Sequence, residues 1–541
     1  MTELEAPPAH VPVAEPTENA TLGLPEELSA RRLLSRGQSY SLAVGTAIAA
    51  ALLVVYGTTG LGPSFASWGR AVVLFVTVVY VVVISFKLLL VVAAPDKGGW
   101  DEARLVAAAL AEAALPRYTI LVPLHREARV LPELIGRLSA LEYPQELLQI
   151  LFLVERGDSE TRDVLAALEL DEPFQTVVVP PNGPQTKPRA CNVGLALATG
   201  DLCVIYDAED RPDPDQLRRA VAAFADAPRW VVCVQSELQY WNPWTNWLTR
   251  NFAAEYAANF SLVLRGLDRF GLPTPLGGTS NHFRTDALRQ LGGWDPHNVA
   301  EDADIGIRIA RRGWRVRRMA SVTEEEANSN LRSWLRQRSR WLKGYMQTWL
   351  VHMRSPLRLW RDLGTRDFIA FQLVLGCAIF TTLVNPVFWA LFVVYLVNGP
   401  SHIAVLFPAY IFYPAVAAML AGNVLMIYCL MSGCMERGLL PAVKVMVLVP
   451  AYWALMSVAA YKGLIQLIRP SRRHFWELTE HGLVGVDGTS RKPDAKPRSV
   501  AVPTDLTRDT EETLFVGAVP ENGNGSKGEA STIASMQESS A

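Results

Sequence analysis

The chain lacks any C-x-x-C pair: its six cysteines, at 191, 203, 233, 377, 429 and 434, are scattered through 541 residues. A disulfide scaffold and a thiolate zinc site are both excluded, and a reduced, partly cytosolic chain is the plain reading. Net charge is missing too. Lys plus Arg number 51 and Asp plus Glu 53, which leaves −2. Without an overall basic field, nothing here draws a nucleic acid. Charge of either sign is scarce, at 19%, where a soluble protein carries about 25%. Half of the residues are hydrophobic. The composition is that of a membrane protein.

The apolar residues are concentrated in blocks. Residues 1–36 are rich in Pro, Glu, Ala and Thr and read as a disordered arm, because no basic segment leads straight into an apolar core. Residues 37–95 hold two spans, Leu42–Leu61 and Ala71–Ala94, each long enough for a bilayer core of about 30 Å. Arg31, Arg32 and Arg36 precede them, and Lys97, Arg104 and Arg117 follow. The positive-inside rule then places both flanks in the cytosol. Residues 366–468 hold three more blocks, Phe368–Val397, Ile403–Met431 and Leu439–Ile468. Three crossings would leave the C-terminus outside, yet Arg469, Arg472 and Arg473 belong in the cytosol by the same rule. The charges outweigh the count. Leu439–Ile468, with Lys444, Pro450 and Lys462 inside it, is expected to lie along the cytosolic interface or to re-enter. The expectation is a multi-pass protein of the cell membrane with both termini inside, its polar tail over 484–541.

Residues 100–350 alternate short β-rich runs with helical stretches. Strands are expected at Tyr118–Pro123, Leu148–Val154, Thr176–Val179, Leu202–Tyr206 and Val231–Gln235. Helices are expected between them, as in an α/β domain with a mainly parallel sheet. Ligands bind such sheets off the carboxyl ends of strands, and the acidic clusters sit there.

Leu202–Tyr206 runs directly into Asp207-Ala208-Glu209-Asp210. Carboxylates at i and i+2 on a turn suit Mg²⁺ or Mn²⁺, which use one or two of them plus substrate phosphates. The same turn also suits the start of a helix at Asp213-Pro214. Further on, Glu301-Asp302-Ala303-Asp304 follows the glycine-rich segments Gly277-Gly278 and Gly292-Gly293. Helix N-terminal charge explains Glu301 well enough, but not the glycines before it. Finally, Gln337, Arg340, Trp341 and Gly344 fall on one face of the helix expected over Leu331–Trp349. An amide, a guanidinium and an indole suit a sugar phosphate. A basic amphipathic helix on a membrane surface would look similar.

Taken in order, Asp207-x-Glu209, Ala300-Glu301-Asp302 and Gln337-Arg338-Ser339-Arg340-Trp341 resemble the D-x-D, T-E-D and Q-x-x-R-W motifs of processive family-2 glycosyltransferases. Cellulose synthase, hyaluronan synthase and bacterial β-glucan synthases are members of that family. The resemblance covers about residues 115–350. It implies a nucleotide-diphospho-sugar transferase (GT-A type) domain inserted between transmembrane helices. It also implies a UDP-sugar donor such as UDP-glucose, a glycan or lipid acceptor at the bilayer, and Mg²⁺ or Mn²⁺ on Asp207 and Glu209. In that pattern Asp302 is the catalytic base, while Gln337 and Arg340 contact the donor and Trp341 and Glu301 the acceptor. Glu155 and Asp158 stand where the family reads the uracil base, and Lys187 and Asn192 match a stretch beside the nucleotide. Trp476–Gly482 resembles the F-x-V-T-x-K-G gating loop of cellulose synthase over 470–483, with His481 at the Lys position. Glu209 replaces an Asp and Ala300 a Thr. The expected activity is inverting extension of a β-linked polysaccharide at the cytosolic face, an activity that can be coupled to export. Transfer of one sugar to a membrane lipid is the alternative. An inactive membrane receptor would have no need of the intact acidic set.

Overall fold

The computed structural model describes residues 23–59, 65–94, 115–181, 183–399 and 404–477, together with 106, 110 and 112. His481 and the polar tail lie outside the described residues, as do residues 1–22.

Eight strands form one sheet: β1 (Tyr118–Leu124), β2 (Leu148–Glu155), β3 (Phe174–Val179), β4 (Leu202–Ile205), β5 (Arg211–Pro212), β6 (Val231–Tyr240), β7 (Asn281–Arg284) and β8 (Arg315–Glu325). Their spatial order is β3-β2-β1-β4-β7-β6-β8-β5. β3, β2, β1 and β4 are mutually parallel, and β7 runs antiparallel between β4 and β6. The expected parallel strands form because their apolar runs are buried on both faces. Ile120 and Val122 pack with Leu134 and Leu138, while Leu121 packs on the other side with Leu153 and Val193. Chain order reverses between β1 and β4, which opens a crevice at their carboxyl ends. β8 escapes a reading by apolar pattern because Arg315, Arg317, Arg318, Glu324 and Glu325 interrupt it. This is the α/β architecture expected of a GT-A domain.

Among the described residues the α-helices, numbered in chain order from α1 (Arg36–Thr59), divide into two groups. In the α/β unit, α3 (Leu131–Ser139), α4 (Ser159–Ala167), α5 (Lys187–Leu197), α6 (Gln216–Ala225), α7 (Trp247–Ala258), α8 (Leu264–Arg269), α9 (Thr285–Gln290), α10 (Glu301–Arg311) and α11 (Leu331–His352) surround the sheet. The apolar group is α1, α2 (Phe65–Ala93), α12 with α13 (Pro356–Phe371 and Cys377–Asn398), α14 (Ala409–Glu436), and α15 with α16 (Leu440–Val443 and Val449–Ile468). Among the described residues, five helices are long and apolar enough to cross a membrane, the last of them Met446–Ile468.

That last helix runs alongside α11 from end to end. Tyr452 stands 5.2 Å, ring to ring, from Trp334 and accepts from Arg338 Nη2 at 3.0 Å. Ala459 and Ala460 pack on Leu342, and Leu467 packs on Met346. A Cβ on Gly463 would come 2.8 Å from Ser339 O, so only glycine allows this approach. Both ends of α16 therefore lie against the α/β unit.

Part of the stretch expected to be disordered, from residue 23 on, is folded. Ser29 and Ala30 are buried, and Ser29 Oγ and Ala30 N donate to Asp295 at 2.9 and 2.5 Å. Arg354 ties down the same stretch by donating to the carbonyls of Glu27 and Ser29 at 2.7 and 3.0 Å. A buried carboxylate needs such donors, and this arm supplies them.

Candidate active site

The acidic turn leaves β4 and is held from inside. Asp210 is buried, accepting from Asp207 N at 2.6 Å and from Thr279 Oγ1. That lock fixes the turn that carries Asp207 and Glu209. Lys187, at the start of α5, donates from Nζ to Asp207 Oδ2 at 2.7 Å and to Gly278 O at 2.9 Å. Burial pulls the Lys187 ammonium down, but Asp207 and Glu301 outweigh it and hold the group well above its ordinary value.

Glu301 and Asp302 open α10 beneath the glycine segment. A Cβ on Gly278 would lie 3.7 Å from Asp302 Oδ2, so the loop skirts that carboxylate. Asp302 Oδ1 accepts from Ala303 N at 2.8 Å. Burial and the neighbouring Asp302 push the Glu301 carboxyl up to about 7, and burial raises Asp302 as well. Arg340 reaches across from α11. Burial lowers its guanidinium, opposed by Glu301, Asp302, Asp207 and Glu209. Its Cζ lies 4.4 Å from the centre of the Trp476 ring, which covers it. Ala300 packs directly on Gly344, which brings α10 and α11 together at this point. The first family motif, the second and the third thus meet in one space.

Trp341 faces α7, stacked near Tyr256 (6.3 Å, 30°) and edge-on to Phe252 (6.0 Å, 63°). Gln337 is buried and accepts from Asn328 Nδ2 at 3.3 Å. Two other expected residues point elsewhere. Asn192 uses both ends of its amide on the Trp294 backbone, at 2.7 and 2.8 Å, and so anchors the second glycine loop. Asp158 caps α4 through Thr161 N and Oγ1 (3.3 and 2.8 Å) and accepts from Arg126 N at 2.5 Å. Glu155, by contrast, ends β2 with both oxygens buried and no hydrogen bond among the described residues. Arg189 Nη1 is 3.9 Å from it, and burial raises its carboxyl despite that charge. Glu155 is therefore the better placed of the two to accept from a base. His481 lies outside the described residues, but Trp476 and Glu477 of the same stretch are placed. Glu477 accepts from Ser339 Oγ (3.1 Å), Lys462 Nζ (2.7 Å) and Gln466 Nε2 (3.0 Å). Lys343 donates to Phe475 O at 2.9 Å, and burial lowers its ammonium to about 8. The stretch leading into the gating-like loop is clamped to the Q-x-x-R-W helix.

Sequence reasoning missed Glu325, at the end of β8. Burial, then Glu209, Asp207 and Asp302, push its carboxyl well above the ordinary range. The clue was available: Glu324-Glu325-Glu326 is an acidic run, but its strand went unread. Glu325 thus joins Asp207, Glu209 and Asp302 in an acidic group that a cation would suit. Among the described residues no three groups form a ready-made metal cage.

Residues 202–431 match the family described as glycosyl transferase family group 2. Over those residues, less than half of its length, the chain resembles a family-2 glycosyltransferase domain. The chain is similar, at 26% identity over 260 residues, to "Probable glycosyltransferase YdaM" of Bacillus subtilis, covering 48% of this chain and 62% of that protein. It is 26% identical over 270 residues to "Beta-monoglucosyldiacylglycerol synthase" of Synechocystis, covering 49% of this chain and 56% of the relative. It is 25% identical over 254 residues to "Glucomannan 4-beta-mannosyltransferase 7" of Arabidopsis thaliana, covering 45% of each. The chain therefore spans less than two thirds of the length of these curated relatives.

The acidic pair makes the pH profile testable. A base works only when ionised, so the burial that raises Asp302 moves the acid limb of kcat/KM upward. Asp302 raises Glu301, so as pH falls Glu301 takes up its proton first and is neutral while Asp302 titrates. Glu301→Gln should therefore leave the acid limb in place. A limb that moves down in the variant would show that an ionised Glu301 raises Asp302.

Proposed function

We infer that the enzyme transfers a hexose from a UDP-sugar, with inversion, to the end of a β-linked glycan at the cytosolic face of the cell membrane. The observation that carries this reading is the shared space of Asp207, Asp302 and Arg340, closed over by Trp476. Asp302 is placed to take the proton of the attacking acceptor hydroxyl. Arg340 supplies fixed donors to the charge that develops on the leaving diphosphate. Asp207 and Glu209 would hold Mg²⁺ or Mn²⁺, which when bound neutralises that diphosphate. Lys187 orients Asp207, and Glu155 is free to meet the base. Trp341 offers a flat face for the acceptor sugar.

The cytosolic side rests on the arginines flanking α1 and following α16. The run of α16 beside α11, with both its ends against the α/β unit, supports an interfacial course for Leu439–Ile468, and so two crossings before the domain and two after. The second reading, transfer of one sugar to a lipid, draws on the name of the Synechocystis relative. Full-length protein in lipid nanodiscs, given radiolabelled UDP-glucose and then a panel of other UDP-sugars, separates the two. Label in ethanol-insoluble material that resists chloroform–methanol extraction is the expected result. Label confined to a one-sugar lipid in the organic phase would replace the glycan reading with the second. Incorporation from no UDP-sugar would overturn the donor.

A further inference from the structure

A cavity of about 980 Å³ lies between α13, α16 and the segment after α16, outside the catalytic space. Its walls are apolar. α16 contributes Ala454, Val458, Tyr461 and Ile465, spaced by four, three and four, so they form one stripe turned away from α11. α13 contributes Pro386 and Trp389. The separation of the two helices is built in. Pro386 has no N–H, which leaves the carbonyl of Thr382 without its helical donor. Ser457 Oγ donates to that carbonyl at 3.0 Å, and Tyr461 OH donates to Leu383 O at 2.7 Å. The proline in one helix and the hydroxyls of the other therefore pin the helices at the base of the groove. Beyond the pins, Trp389, Val458 and Ile465 remain exposed.

The far end of the groove is charged, and unevenly. Lys462, Arg469, Arg472 and Glu477 line it. Glu477 is fully occupied by Lys462, Gln466 and Ser339. That leaves Arg469 and Arg472, whose guanidinium groups make no hydrogen bond or ion pair among the described residues; Arg472 only lies 5.6 Å from the Phe475 ring. Two free guanidiniums at the mouth of an apolar groove match a phosphate oxyanion joined to a hydrocarbon chain. The stripe from Ala454 to Ile465 is about 16 Å long at 1.5 Å per residue, which gives an extended acyl chain a continuous apolar track.

We propose that this groove binds an anionic phospholipid of the bilayer, its phosphate on Arg469 and Arg472 and one acyl chain along the α16 stripe. The site is separate from donor binding and does not depend on whether the acceptor is a glycan or a lipid. It adjoins Glu477, one residue from the Trp476 ring that covers Arg340, so the bound lipid would steady the clamp that leads into the gating-like loop.

Native mass spectrometry of the full chain tests it, with phosphatidylglycerol and phosphatidylcholine as the two probes. One phosphatidylglycerol should remain bound through detergent release, and phosphatidylcholine should not. The double variant Arg469→Gln, Arg472→Gln should weaken that binding by about tenfold or more, the size of a lost charge-assisted contact. Val458→Trp fills the groove without touching charge and should weaken it as well. Lys444→Gln, which removes a cation outside the groove, should leave it intact. Thermal unfolding of each variant establishes that it is folded before binding is read. Equal retention of the two lipids, or undiminished phosphatidylglycerol binding in the folded double variant and in Val458→Trp, would overturn the proposal.

Discussion

Asp302→Asn should lower turnover by about 10²–10⁴-fold while leaving UDP binding in place. The substitution keeps the shape of the side chain and its contact with Ala303 N, and removes only the proton acceptor. In energy this is about 3–5 kcal/mol of barrier. The contrast that makes it sharp is Asp304, two residues on. Asp304 is fully buried, with Arg308 Nε at 2.7 Å on one oxygen and His352 Nε2 at 3.1 Å on the other. Arg308 and His352 together hold its carboxyl below the usual range although burial works the other way. Its loss strands a buried guanidinium, a change worth about 3–5 kcal/mol of stability. Asp304→Asn should therefore lower the unfolding temperature, with the remaining folded enzyme still turning over. An active Asp302→Asn beside a folded but inactive Asp304→Asn would reverse the assignment. Steady-state kinetics and thermal melts on the two variants decide it.

The second large effect concerns Asp207. Chelation by EDTA should abolish turnover, and Mn²⁺ or Mg²⁺ should restore it in the parent enzyme but not in Asp207→Ala. Charge stabilisation of a departing diphosphate is worth several kcal/mol, or about 10³-fold in rate. Calorimetric titration with UDP gives a readout apart from activity: affinity should rise on adding Mn²⁺ to the parent and stay flat in the variant. Lys187 complicates the reading, because Asp207→Ala also removes its partner at 2.7 Å. Lys187→Met separates the two roles, since it should weaken UDP binding while leaving the Mn²⁺ response. Full turnover in EDTA would remove the metal from this site.

The clamp at Glu477 explains why one glycosyltransferase motif is joined to a segment more than a hundred residues away. Ser339 sits between Arg338 and Arg340, and its hydroxyl bonds Glu477. The same helix therefore contributes Arg340 to the reaction space and holds the stretch whose Trp476 lies over it. Lys343, one turn further along, holds Phe475 O. Neither Ser339 nor Lys343 is distinguished in the sequence from an ordinary polar residue of an amphipathic helix.

By itself the sequence determined the strands at the heart of the sheet, because runs such as Tyr118–Leu124 and Leu148–Glu155 are apolar on both faces and have no other stable fate. It also determined the apolar helices, by length, and the acidic turn at the end of β4. It left β8 unread, since a strand with charged residues along its length follows no apolar period. With β8 went Glu325, which the pairing of β8 with β6 sets opposite Tyr240. The decisive choices came from tertiary structure. Residues two apart on a helix point about 200° away from each other, so neighbours with the same chemistry face different surroundings. Asp302 looks to Gly278 and Arg340, while Asp304 looks to Arg308 and His352. Arg340 enters the reaction space under Trp476, while Arg338 turns to Glu255 at 3.0 Å and to Tyr452. Composition supplies two candidates at each position, and the packing of α10 against α11 through Ala300 and Gly344 selects one.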